Sequence, residues 1–141
     1  QDKINANRNK LEELLVRAHL DAGKAWEKGA TEAQMKSILS LIRQAQWRWD
    51  FASAGLGNSF HAPVEISRII AAGIDKSQDA RVKLARLLAS LGYIDEVPYP
   101  EIDTKARAQA LIGLDMQKLN TEKAEFLRNR SPGLQALLGC L

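Results

Sequence analysis

Two histidines, His19 and His61, and one cysteine, Cys140, make up the histidine and cysteine set of this 141-residue sequence. One cysteine cannot form an internal disulfide, a CxxC metal site or a CxxCH haem-attachment motif. No HExxH, GxSxG, P-loop or GxGxxG string occurs, so the common hydrolase, NTPase and dinucleotide signatures are missing. His61 stands out by position. It follows Gly57-Asn58-Ser59-Phe60 and precedes Ala62-Pro63. A residue held between a turn and a proline points in a fixed direction, and neutral imidazole is a good ligand for a metal or a haem iron. The same position also suits a histidine that caps a helix or lies half-exposed. His19, one residue past Ala18 at the edge of an apolar stripe, reads as a packing or surface histidine.

Two further strings invite a functional reading. In Gln44-Ala45-Gln46-Trp47-Arg48-Trp49-Asp50-Phe51, Trp47 and Phe51 are four apart and share one helix face, while Trp49 lies on another. Two apolar faces on one helix mean burial on two sides. Either the helix is central in a bundle, or one face meets another domain or subunit, where tryptophan is enriched. Arg81, Lys83 and Arg86 are interspersed with leucines. Without interleaved aromatics they read as a solvated face rather than a nucleic-acid patch.

The elements that must position these residues are helical. Prolines occur only at 63, 98, 100 and 132, leaving long segments with three- and four-residue apolar spacing and no alternation. Ile4, Leu11, Leu14, Leu15, Ala18, Ala22, Ala25 and Trp26 form the first stripe, which Gly29 can end. Thr31-Glu32-Ala33-Gln34 matches a capping box. It opens a second helix carrying Met35, Ile38, Leu39, Ile42, Ala45, Trp49 and Ala52, expected to stop near Gly55-Leu56-Gly57-Asn58. Pro63 suits the first turn of a third helix and Glu65 its positive end. Ile66, Ile69, Ile70, Gly73, Ile74, Ala80, Leu84, Leu87, Leu88 and Leu91 line that helix, and Gly92 closes it. Tyr93 to Pro100 reads as a linker. A fourth helix, capped by Asp103 and carrying Ala106, Ala110, Leu111, Leu114 and Phe126, is expected to end before Ser131-Pro132-Gly133. The expected architecture is an all-α bundle of about four helices, three of them long, in one domain over residues 1–141.

Composition agrees with this and excludes several classes. Hydrophobic residues are 45% and charged residues 26%, which excludes a mainly disordered chain. A net charge of +3 is too mild for a dedicated polyanion binder. The longest apolar run, 69–74, falls far short of the roughly 18 residues of a membrane span. No secretory leader pattern is present, and the first residues read as the inside of a helix. The expectation is a segment of a longer polypeptide.

Several strings together carry a resemblance. They are Leu14-Leu15-Val16-Arg17-Ala18-His19, Ala45-Gln46-Trp47-Arg48-Trp49-Asp50, Phe60-His61-Ala62-Pro63, Asp75-Lys76 and the run from Ala80 to Leu88. Their order and spacing over residues 10–130 resemble the C-terminal helical region of ammonia-forming cytochrome c nitrite reductase. The resemblance implies a periplasmic oxidoreductase that reduces nitrite to ammonia through covalently bound haem c. It also implies calcium bound elsewhere in the parent, and a homodimer built on long C-terminal helices. The implied partners are the N-terminal haem-bearing part of the same polypeptide and an electron-donor cytochrome or quinol dehydrogenase, with no nucleic acid. One residue carries over: His61 would be the distal axial ligand of a bis-histidine haem iron. The haem-attachment motifs and catalytic residues would lie outside these residues, so the chain alone is expected to be inactive and haem-free. Ser131 to Leu141 depart from the family pattern, and Cys140 has no implied role. The competing reading is a stand-alone helical module whose two-faced second helix binds a protein.

Overall fold

The computed structural model describes residues 2–55, 61–101 and 104–138. Five helices occur among them: α1 (Asp2–Glu27), α2 (Glu32–Ala54), α3 (Pro63–Ser90), α4 (Lys105–Leu111) and α5 (Met116–Leu138). No strand is present among the described residues, as an all-α reading requires. The turn expected at 56–58, Phe60, the Asp103 cap and Cys140 lie outside the described residues.

The chain divides into two compact units, residues 1–99 and 100–141. In the first, α3 packs against both α1 and α2, and α1 packs against α2. The sequence spacing explains this. The buried positions of α3 are Ile66, Ile70, Gly73, Ser77, Ala80, Leu84 and Leu88. They follow one another by three or four residues, so they form one continuous stripe. α1 contributes Ile4, Leu11, Leu15, Ala18, Ala22 and Ala25, and α2 contributes Met35, Ile38, Ile42, Ala45 and Ala52. Many of these residues are small, and small side chains let helix axes approach closely. The tightest point is Gly73, where an added Cβ would stand 2.7 Å from Leu11 Cδ2 and 3.4 Å from Arg48 Cβ. Arg81 Nε meets Asp21 Oδ2 at 3.2 Å, a partly buried tie between α3 and α1.

The helix ends follow sequence chemistry. Thr31 Oγ1 accepts from the Gln34 amide at 3.4 Å, and Gln34 Oε1 accepts from the Thr31 amide at 2.8 Å, completing the capping box of α2. At the end of α3, Gly92 has φ +81, and the Tyr93 amide donates to Leu88 O while the Gly92 amide donates to Ala89 O. That pair of bonds needs a left-handed residue between them, which glycine supplies without strain.

The second unit departs from the expected single helix. Gly113, with φ +69, ends α4 by the same two-bond pattern. Asp115 then starts α5, its Oδ1 accepting from the Gln117 and Lys118 amides at 3.1 and 3.0 Å. Thr104 caps α4, its Oγ1 accepting from the Arg107 amide. The last helix runs through Ser131-Pro132-Gly133 to Leu138, where a stop was expected.

Trp26 also departs from expectation. The spacing places it with the apolar stripe of α1, but it is 41% exposed. It follows Ala25 directly, and Ala25 takes the inward position, so Trp26 is turned about 100° away from it.

The packing predicts two opposite responses on neighbouring turns of α3. Ser77 is fully buried, and its hydroxyl has no hydrogen-bond partner among the described residues. Ser77→Ala is therefore expected to leave stability unchanged or raise it by about 1 kcal/mol, because an unpartnered buried hydroxyl carries a desolvation cost. Gly73→Val overfills the contact with Leu11 and is expected to cost about 1–3 kcal/mol. Urea unfolding of both variants against the parent checks the pair.

Candidate functional site

His61 sits where the chain enters α3. Ala62 occupies the N-cap position with extended backbone (φ −138) and no side-chain capping bond. His61 therefore stands one residue before the N-cap of α3. Pro63 follows as the first helical residue, where its missing N–H costs nothing. The Ile66 amide donates to Ala62 O at 3.1 Å, closing the first turn. Ser67 Oγ donates to Pro63 O at 2.7 Å. Glu65 and Arg68 form a two-pronged pair, Nη2 to Oε1 at 2.6 Å and Nε to Oε2 at 3.0 Å. The hydrogen bond from Arg68 holds the Glu65 carboxyl below the usual carboxylate range, with charge attraction adding to it. These contacts hold the first turn of α3, which begins two residues after His61, whose side chain is exposed.

α2 leads to the same end of the first unit. Trp49 packs against the core, as one apolar face of the helix requires. Trp47 and Phe51 do not: they are 61% and 43% exposed and stack on each other, with ring centroids 5.7 Å apart and planes at 24°. Of the two burials that the sequence implied for α2, one is met inside the chain and the other is left to the surface. Val64, in the first turn of α3, is also largely exposed. Two buried polar atoms of α2, Trp49 Nε1 and Ser53 Oγ, have no hydrogen-bond partner among the described residues. Sequence reasoning did not single out Ser53.

The donor set limits the chemistry. Among the described residues, no group of three or more His, Cys, Asp or Glu side chains could hold a metal ion. A bare ion therefore has no cage among the described residues. A haem iron carries four ring nitrogens of its own and needs only axial ligands, which an exposed imidazole can supply. His61 thus has the donor chemistry that an axial haem ligand requires. His19 lies on the exposed side of α1 and away from any such turn, as a surface histidine would. Arg81, Lys83 and Arg86 do not form a patch: Arg81 is taken by Asp21, and Lys83 Nζ lies 3.4 Å from Ser37 Oγ. No described helix is long and apolar enough to cross a membrane.

Comparison with known proteins places these features. The family model described as Cytochrome c552 matches residues 1–136. A protein named cytochrome c-552 from Parabacteroides distasonis is 54% identical over 132 residues, covering 94% of this chain and 27% of the relative. The proteins of that name from Bacteroides thetaiotaomicron and Porphyromonas gingivalis are 53% and 52% identical over the same length, with 27% and 26% of each relative covered. The chain spans about a quarter of the length of the curated relatives it matches.

The Glu65–Arg68 pair yields a pH prediction for the turn that holds His61. A carboxyl whose folded pKa lies below its unfolded value contributes stability above the unfolded pKa and loses it as the pH falls through the folded one. The first turn of α3 is therefore expected to show faster amide exchange, relative to the α3 interior, as the pH drops below the ordinary glutamate range. Glu65→Gln should remove that dependence. Exchange measured by NMR across the acid range checks both.

Proposed function

Because the chain belongs to the cytochrome c552 family of haem-binding redox proteins, we propose that it is the C-terminal helical part of a periplasmic, ammonia-forming cytochrome c nitrite reductase, and that His61 is a distal axial ligand to one electron-transfer haem c. The observation that carries this reading is the exposed imidazole at the entry to α3, directly before Ala62-Pro63. The haem, when bound, supplies the redox centre. The chain's own residues do the rest. Pro63 and the Glu65–Arg68 pair fix the backbone that presents His61. His61 would hold the iron through its neutral imidazole, whose second nitrogen would then be left to donate. A haem with histidine on both axial positions has no free position for substrate, so His61 serves electron delivery and not nitrite binding.

The exposed Trp47–Phe51 face is the surface that packs on the haem-bearing remainder of the polypeptide. Burying two aromatic side chains of that size is worth several kcal/mol of association by area, on the order of 25 cal/mol per Å². The second unit supports the dimer expectation. Leu119 and Leu127 of α5 are both about half exposed, an apolar surface on a long helix that a second copy would cover. Calcium and the nitrite-binding residues belong to the remainder. The physiological donor would be a cytochrome or quinol dehydrogenase.

Two experiments test this. In the full-length protein, His61→Ala is expected to convert one low-spin haem to high-spin and to slow electron delivery, while nitrite still perturbs the catalytic haem. An unchanged haem spectrum overturns the ligand assignment. The 141-residue chain alone is expected to bind no haem covalently and to self-associate with rising concentration. Light scattering that shows a monomer at every concentration argues against the covered-face reading.

A further inference from the structure

At the end of the first unit opposite His61, α1 and α2 enclose an open groove of about 770 Å³. Trp26, Glu32, Lys36, Leu39, Ser40 and Arg43 line it. The groove follows α2 from Glu32 to Arg43, and α2 continues to Ala54, so its near edge lies about 16 Å from the end of α2 that leads to His61 at the usual rise of 1.5 Å per residue. Three features give it a chemistry. Its wall is an exposed tryptophan, and half-buried Leu39 adds apolar area. Lys36 and Arg43 are exposed, and neither is in an ion pair among the described residues. Their positions are seven residues apart, so both project from one face of α2, with Ser40 between them.

We infer that this groove is a docking site for an acidic amphipathic helix of a partner protein. The match is one of spacing and charge. A helix laid along α2 repeats every seven residues, the same interval as Lys36 and Arg43, so carboxylates seven apart meet both cations. Apolar residues three and four positions along then face Leu39 and Trp26, as in other helix-in-groove contacts. Small residues at Ala33 and Ser40, on the same outer stripe as Lys36 and Arg43, let the incoming helix approach. Glu32, at the groove's end, disfavours an acidic residue there and so fixes the register. Charge of this kind steers encounter and selects the partner more than it adds affinity.

The test is isothermal titration of the 141-residue chain, and of the full-length protein, with a synthetic helical peptide carrying Glu at positions 4 and 11 and Leu at 7 and 8. A control peptide has Gln at 4 and 11. The Glu peptide is expected to bind both proteins, to bind about tenfold more weakly to the Lys36→Glu, Arg43→Glu double variant, and to weaken with added salt. Circular dichroism of the double variant confirms that it stays folded, since both positions are on the surface. Equal binding of the Glu and Gln peptides, or binding untouched by the charge reversal, overturns the inference. Binding to the chain but not to the full-length protein means that the groove is covered by its own polypeptide, which also overturns it. A concentration-dependent dimer abolished by the double variant, with no peptide binding, assigns the groove to a second copy instead. None of these outcomes depends on haem.

Discussion

The bundle depends on the contact between Gly73 and Leu11. There is room for Leu11 between α1 and α3 only because position 73 has no side chain, and Leu11 is fully buried as a result. From that point the seam continues in small steps, through Ser77 and Ala80 on α3 and Ala18, Ala22 and Ala25 on α1. Arg48 of α2 also approaches Gly73, so all three helices are gauged by one missing Cβ. Interiors packed at crystal-like density transmit such a constraint, because no slack exists to absorb a shift. The directions of α2 and α3, and hence the place of His61 at the entry to α3, follow from it.

A second set of contacts ties the segment after α3 back to α1. Arg17 meets both Glu13 and Glu96 at 3.2 Å and lies 4.8 Å from the centre of the Tyr99 ring. Lys24 and Lys28 approach the Tyr93 ring at 5.1 and 5.5 Å, and Tyr93 Oη donates to Glu96 O. These are surface contacts, each individually weak. Their effect is cumulative: residues 93–99 belong to the first unit despite having no regular secondary structure.

Much of this was legible beforehand, for reasons that differ by residue. Gly29 and Gly92 read as helix ends because glycine after an amphipathic run marks a left-handed cap. Gly113 carries the same signal, but apolar Leu111, Ile112 and Leu114 around it imitate a continuing stripe, and the break at 113–115 was hidden by them. Thr31 through Gln34 read as a capping box because both reciprocal bonds are local. Trp26 was misjudged because a residue at the edge of a stripe is assigned by the angle of its neighbours, and Ala25 had the inward place. His61 was visible from its place before Ala62-Pro63, and the haem-ligand role proposed for it rests on the resemblance rather than on spacing. The groove on α1 and α2 was not visible at all. A groove is a property of two helices side by side, and periodicity describes each helix alone.

The three tryptophans fall in three different settings: Trp26 in the groove wall, Trp47 stacked on Phe51 at the surface, and Trp49 against the core with its indole N–H unpartnered among the described residues. Indole emission reports the polarity around the ring, so the chain carries its own optical labels, one at each place where an event could occur. Occupation of the groove, cover of the aromatic face and loosening of the core would each alter the light from a different ring. Single Trp→Phe replacements would separate the three signals without any added dye.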